Sequence, residues 1–188
     1  MLKKLRFEIT SNSKICIFLA ILIYILGILS VFMLPLEEIK PTKLPRKEVS
    51  LKNPEISFFL QKNTIVILVL IIGAFTLGIT TFINLFINGM SLGILFKISK
   101  TWFTTLLLVV PHGIFEVPAI IMAGAAGFKI PYEIIRYLAG KKEQVLTKED
   151  VKEYLMMALI SIILIVIAAW IEANVTLKIA EEVIKFGR

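Results

Sequence analysis

Charged residues, cysteine and histidine are all scarce in this sequence, and each shortage excludes a kind of protein. Only 19% of the 188 residues are charged and 57% are hydrophobic, whereas a soluble domain of this length needs more charge to cover its surface. The one cysteine, Cys16, cannot form an internal disulfide. A chain with a single histidine also cannot contain His-Glu-x-x-His, the motif of many zinc proteases.

The positive charge of the chain does not indicate nucleic-acid binding. The formal net charge is +7, but the basic residues are spread over all the polar segments. Neither a basic groove with interleaved aromatic residues nor a known nucleic-acid-binding motif is present. In a membrane protein such charge reflects topology and contact with anionic headgroups. We therefore expect no nucleic-acid partner.

What the sequence does contain is long uncharged apolar runs. A run of about 20 residues crosses the hydrocarbon layer as a helix, because irregular backbone is left unsatisfied in lipid. The composition therefore predicts an all-α integral membrane protein, a polytopic helical bundle of about five membrane segments with broken or re-entrant central helices. The predicted segments are 15–34, 64–87, 90–110 (broken), 113–128 and 154–171.

Three amphipathic helices are predicted in the polar segments, at about 54–62, 131–139 and 172–186. The first and last are expected to lie flat at the membrane interface, with a dimerisation arm as the alternative for the last. Thr147-Lys148-Glu149-Asp150 resembles a capping box with aspartate as its acidic member. It predicts a helix that begins there and continues into the last span.

The centre of the chain is expected to be irregular. Asn88-Gly89 and Pro111-His112-Gly113 are break signals, and the apolar pieces around them are shorter than a membrane crossing. Such breaks survive at membrane depth only where the backbone is buried in protein or lines a wet cavity. A stripe of small and polar residues at helical spacing leads up to the first of these breaks. Such a stripe is typical of helix–helix packing, and its two asparagines also indicate a polar cavity at one end. Its members are Gly73, Thr76, Thr80, Asn84 and Asn88.

His112 and Glu116 are the main candidate site, because four residues apart they share one helical face. Glu116 is the only formal charge between Lys100 and Lys129, and a charge at membrane depth costs at least ~2.5–3.5 kcal/mol. The pair is interpreted first as a structural hydrogen-bonded pair. The alternatives are a divalent metal site such as zinc, completed by a dimer or a third ligand, and a proton relay for transport. Catalysis is least favoured, since no second intramembrane carboxylate is evident.

The same face continues with small residues, Ala119, Ala123 and Gly127. A smooth face of this kind lets another backbone approach closely. Its expected partner is the threonine and asparagine stripe of the second span or the same segment in a second copy of the chain. The second possibility makes a homo-oligomer, most simply a dimer, one expectation.

Residues 111–119, Pro-His-Gly-Ile-Phe-Glu-Val-Pro-Ala, followed by Ala-Gly-Ala-Ala-Gly at 123–127, resemble the hallmark of the stage II sporulation protein M family. Asn88-Gly89 and the glycine- and threonine-rich span before it fit the same pattern. The resemblance implies an integral membrane protein. The family's namesake works with a peptidoglycan hydrolase and another membrane protein during engulfment of the forespore, and the family also occurs in archaea and other organisms that never sporulate.

The leading functional hypothesis is a non-enzymatic membrane scaffold or assembly factor, multi-pass in the cell membrane. Its expected partners are the lipid bilayer, a second copy, and other membrane or cell-envelope proteins. A small transporter or channel-like subunit with a site at His112 and Glu116 is the alternative, and an intramembrane metal-dependent hydrolase is third. The motif residues expected to matter besides that pair are Pro111, Gly113, Pro118, Asn84, Asn88 and Gly89.

Overall fold

A computed structural model describes residues 10–35, 56–99, 101–179 and 182 of the chain. Within those residues the regular structure is helical, and five helices are long and apolar enough to cross a membrane. The all-α membrane fold class predicted from the sequence is confirmed. The helices are α1 (Ser11–Met33), α2 (Ile56–Ile72), α3 (Ile79–Ile98), α4 (Trp102–Leu138) and α5 (Lys148–Ile171).

The first and last helices lie where their spans were predicted. Thr10 caps α1, because its hydroxyl accepts a hydrogen bond from the amide of Ser13. The capping box before α5 is confirmed, with the Thr147 hydroxyl accepting from the Asp150 amide and the Asp150 carboxylate accepting from the Thr147 amide. At the other end of α1, Lys97 of α3 donates to the carbonyl of Leu34 and to that of Val31, which also accepts from the Leu34 amide.

The predicted single span 64–87 is wrong, because the chain turns inside it. A 3₁₀ turn, Gly73–Phe75, extends α2, and α3 begins only at Ile79. Between them Leu77 and Gly78 both have left-handed backbone, with φ of 52° and 83°. Glycine adopts this conformation without a Cβ clash, so Gly78 ends one helix and starts the next. The polar stripe is therefore divided by the turn rather than continuous on one helix.

The predicted break at Asn88-Gly89 is also wrong, since α3 runs through it without interruption. Gly89 serves close packing instead: a Cβ there would lie 2.1 Å from the carbonyl oxygen of Tyr24 in α1. A Cβ on Gly27 of α1 would likewise lie 2.3 Å from the carbonyl oxygen of Phe86 in α3. The missing side chains let the two backbones touch, as small residues do in membrane helix pairs.

The segment predicted as 90–110, broken, is indeed broken, because residues 90–98 end α3 and α4 begins only at Trp102. The predicted pieces 113–128 and 131–139, in contrast, are not separate elements. They belong, up to Leu138, to α4, a 37-residue helix with Pro111, Pro118 and Pro131 inside it. Proline costs about 3 kcal/mol in a helix interior. Here burial of the following turns outweighs that cost, because Ala119, Ala123 and much of the rest of that stretch are enclosed by neighbouring helices.

Two predicted amphipathic helices are likewise parts of longer helices. Residues 56–62 open α2, while 54 and 55 lie outside the described residues. After α5 a π-helical turn, Glu172–Thr176, leads on to residue 179, so the expected helix 172–186 begins as a continuation of α5. Most of its remainder lies outside the described residues.

Helix α4 is the centre of the bundle and packs against the other four helices. Its small face is covered within the chain: a Cβ on Gly127 would meet the Leu70 carbonyl of α2 and the Thr81 hydroxyl of α3, each at 2.2 Å. Ala119 and Ala123 are completely buried. The expected contact of this face with a second copy is therefore wrong. Its partner in α3, Thr81, lies one position after Thr80 of the predicted stripe.

Candidate functional site

The uncharged stretch of α5 indicates where the site lies relative to the hydrocarbon layer. Residues 154–171 contain no charged residue, and at 1.5 Å per residue they span about 27 Å, close to the thickness of the hydrocarbon layer. Glu153 lies at one end of this stretch and Glu172 at the other. Two polar groups of side chains occur in the bundle, one at each of these levels.

The first group contains the predicted pair. The Nε2 atom of His112 lies 3.6 Å from Oε2 of Glu116, so the prediction that they share one helical face is confirmed. The other ring nitrogen, Nδ1, lies 3.2 Å from the hydroxyl of Thr176 in the π-helical turn. The imidazole thus bridges α4 and the π-helical turn that follows α5. The side chains of His112 and Glu116 are 14% and 29% exposed, so the carboxylate remains accessible.

Two further charged side chains lie within electrostatic range of Glu116. They are Lys62 of α2 and Glu172 in the π-helical turn after α5. No second carboxylate was expected here from the sequence, but Glu172 interacts electrostatically with Glu116. One feature of the sequence could have indicated Glu172, because it is the first charged residue after the last apolar run. π-helical turns often occur at functional sites.

The site lies in the less buried half of α4. No residue from Leu106 to Val117 of α4 is fully buried, whereas from Ala119 to Lys129 every residue except Met122 is buried. His112 and Glu116 therefore lie in the loosely covered part of α4, one turn before the sealed part. The pair is therefore partly exposed in the structure.

The second polar group is a charge cluster at the opposite end, which the sequence analysis missed. It joins the end of α4, the following loop and the start of α5. Three cations and three carboxylates balance one another: Lys129, Arg136, Lys142, Glu133, Asp150 and Glu153. No local spacing rule could show it, because apart from Lys129, Glu133 and Arg136 its members come together only through the fold.

Lys129 is the centre of the charge cluster and is completely buried. Its Nζ atom lies 2.9 Å from Oε1 of Glu133 and 2.7 Å from Oε2 of Glu153. That same Glu153 oxygen accepts hydrogen bonds from the hydroxyls of Thr10 and Ser13, at 2.9 and 2.6 Å. The cluster thereby fixes the start of α1 to α4 and α5.

Lys142 holds the loop onto this cluster. Its ammonium group lies 3.0 Å from Oε2 of Glu133 and contacts Asp150 as well. Burial alone would lower the pKa of Lys142, but the hydrogen bonds to Asp150 and Glu133 outweigh burial and raise it. A raised pKa means that these bonds stabilise the fold fully below the ordinary lysine value of 10.5, and that the stabilisation is lost as the pH rises through the folded value.

The remaining predicted site residues do not join either group. Asn84 and Asn88 donate to carbonyls of their own helix, those of Thr80 and Asn84, at 3.0 and 2.8 Å. Gly113 has only Val109 near the position of a Cβ, at 3.4 Å. Pro111 and Pro118 lie in α4 beside the pair, partly and largely exposed respectively.

The described residues offer little catalytic machinery. No three His, Cys, Asp or Glu side chains come together there in a metal-binding arrangement. The sequence Gly89-Met90-Ser91-Leu92-Gly93 does match Gly-x-Ser-x-Gly. However, it lies inside α3, not at a strand-to-helix turn, and the Ser91 hydroxyl donates to the Ile87 carbonyl. That match is therefore not a nucleophile elbow.

The fold and these two polar groups define a helical integral membrane protein with a half-open polar site near one end and a closed charge cluster at the other. The chain belongs to the stage II sporulation protein M family, whose model matches residues 16–177. The resemblance seen in the motif around His112 is thus confirmed, and the match extends over most of the chain.

Two proteins of Methanocaldococcus jannaschii are similar to this chain. The uncharacterized protein MJ0793 is 43% identical over 175 residues, which is 89% of this chain and 97% of the relative. The uncharacterized protein MJ0706 is 31% identical over 134 residues, 69% of this chain and 59% of the relative. No solved structure matches the chain.

Proposed function

We propose that this protein is a non-enzymatic scaffold or assembly factor, multi-pass in the cell membrane. The observation that carries the proposal is the charge cluster around Lys129. Buried ion pairs add little net stability compared with apolar packing, but in some proteins they specify one geometry. A neutral cluster that ties α1, α4 and α5 together gives a rigid frame, which a protein that positions partners requires.

The partners proposed for this frame are a second copy of the chain and other membrane or cell-envelope proteins. The outer faces of the helices leave many large apolar side chains exposed, among them Phe18, Phe82 and Trp170. In a bilayer, lipid or a partner helix covers such faces. The small face of α4 is already covered by α2 and α3, so a partner would contact other surfaces.

A small transporter or channel-like subunit is the second candidate, because the half-open site favours it. His112 and Glu116 lie 3.6 Å apart with the carboxylate partly exposed, and Glu172 and Lys62 interact electrostatically with Glu116. Buried and half-buried ionisable groups of this kind mark ion or proton pathways in many membrane proteins. A divalent metal such as zinc at His112 and Glu116, in an intramembrane hydrolase, is the third candidate.

Reconstituted vesicles distinguish these functions. For a scaffold we expect proton and ion flux no higher than in protein-free vesicles, with His112→Ala lowering the thermal stability or the oligomer mass and leaving flux unchanged. Flux that Glu116→Gln abolishes and Glu143→Gln preserves would replace the scaffold with a transporter; Glu143 is an exposed loop glutamate that serves as the matched control. Stoichiometric metal after chelator-free purification, lost in both His112→Ala and Glu116→Gln, would favour the hydrolase.

A further inference from the structure

A shallow groove lies on the outer side of α5, beside the charge cluster and away from the His112 site. Its volume is about 330 Å³. Two lysines lie at the end of the groove nearer the start of α5, and four apolar residues form the rest of its surface. The lining residues are Lys148, Val151, Lys152, Leu155, Met156 and Leu159.

The two lysines of the groove differ from those of the charge cluster. Lys129 and Lys142 are each held by carboxylates, but among the described residues neither Lys148 nor Lys152 forms an ion pair. Both are exposed. They lie four residues apart and therefore share one face of the helix. Two unpaired positive charges thus face outward at one place.

The groove also lies at the depth of a lipid headgroup. The charge-free stretch of α5 begins at residue 154, so both lysines stand just outside the hydrocarbon layer. Leu155 and Leu159 continue the same face into that layer, and they are 58% and 52% exposed. A single ligand in the groove would therefore contact positive charge at the lysine end and apolar surface along the rest.

We propose that this groove binds an anionic phospholipid. Its phosphate contacts the ammonium groups of Lys148 and Lys152, and one of its hydrocarbon chains lies along Val151, Leu155 and Leu159. A free phosphate ion would use the lysines only, and a zwitterionic lipid would bring its own positive charge to them. The preference for an anionic lipid follows from the two positive charges, neither of which is paired with a carboxylate of the described residues.

Native mass spectrometry of the full chain, purified in detergent and titrated with phosphatidylglycerol or phosphatidylcholine, tests this proposal. We expect phosphatidylglycerol to be retained preferentially and the double variant Lys148→Gln/Lys152→Gln to bind it about tenfold more weakly. The matched control is Lys141→Gln/Lys178→Gln, which removes the same charge from exposed lysines outside the groove and should bind like the wild type.

Three further results complete the test. Leu155→Ser, which keeps the charge, should also weaken retention, and inorganic phosphate should not displace the lipid. Far-ultraviolet circular dichroism verifies that each variant keeps its helices. Equal loss in the control pair, equal retention of both lipids, or displacement by inorganic phosphate would overturn the proposal. The first two results would mean that the binding is general surface attraction, and the third that it is an anion site.

Discussion

Lys129 is a lysine with no exposed surface, inside a helix long and apolar enough to cross a membrane. An isolated charge there would be costly, but Glu133 and Glu153 each lie within 3 Å of its ammonium group. Its partners come from α4 and α5, and Glu153 is itself bonded to the start of α1. One side chain therefore links three segments of the chain.

We predict that Lys129→Met lowers the free energy of unfolding by about 3–5 kcal/mol, because buried carboxylates lose their closest cation. Denaturant unfolding in detergent, followed by circular dichroism, measures this change. The control is Lys141→Met, which removes an exposed lysine that lies outside the cluster. Similar stability of the two variants would mean that the cluster does not hold the frame together.

The helices pack by two kinds of contact that hydropathy alone does not distinguish. Between α1 and α3 the backbones approach at glycines, with Gly27 and Gly89 meeting carbonyls of the opposite helix. Around α4 the small residues are enclosed near Ala123, while the region near Gly113 remains loosely covered. Tight and loose packing thus follow each other along a single helix.

We predict that Gly89→Ala destabilises the protein by about 1–3 kcal/mol, because its new Cβ would lie 2.1 Å from the Tyr24 carbonyl and force α1 and α3 apart. Gly113→Ala is the matched control, since it adds the same methyl group to a helical glycine whose Cβ would make only an ordinary contact, with Val109 at 3.4 Å. Thermal unfolding in detergent compares them. A Gly89→Ala protein as stable as the control would contradict the close α1–α3 contact.

At the scale of the whole molecule, the two polar groups belong to opposite ends of the bundle. The charge cluster brings the start of α1 to the loop after α4, while Thr101 lies at the other end of α4. At 1.5 Å per residue the 37-residue α4 is about 55 Å long, which exceeds the ~30 Å hydrocarbon layer. Both ends of α4 should therefore emerge from the membrane.

We predict that cysteines placed at Thr101 and Lys141 react with a membrane-impermeant maleimide from opposite sides of sealed vesicles. Thr101→Cys and Lys141→Cys are made in a background in which buried Cys16 is replaced by serine. A third variant, Thr10→Cys, should label from the same side as Lys141→Cys, because Thr10 is bonded to Glu153 beside that loop. Labelling of Thr101 and Lys141 from one side would rule out a membrane-crossing α4.

Several features could be predicted from local sequence. The apolar runs indicated a helical membrane protein, Thr147 and Asp150 indicated the start of α5, and the four-residue spacing placed Glu116 beside His112. Each depends on a helical period or on the backbone partners of one helix end, which act within a few residues. The resemblance carried by the same motif led to the correct family.

The tertiary structure decided what those local rules could not. Gly89 was predicted to end a helix, but it lies inside α3 and contacts α1 closely. Pro111 was also predicted to mark a break, but it lies inside α4, where the turns beyond it are buried by other helices. Thr176 reaches His112 from 64 residues away, and Ser13 reaches Glu153 from 140 residues away. Hydropathy and spacing describe one helix at a time, whereas these contacts depend on which helices become neighbours, and that is settled only when the whole bundle packs.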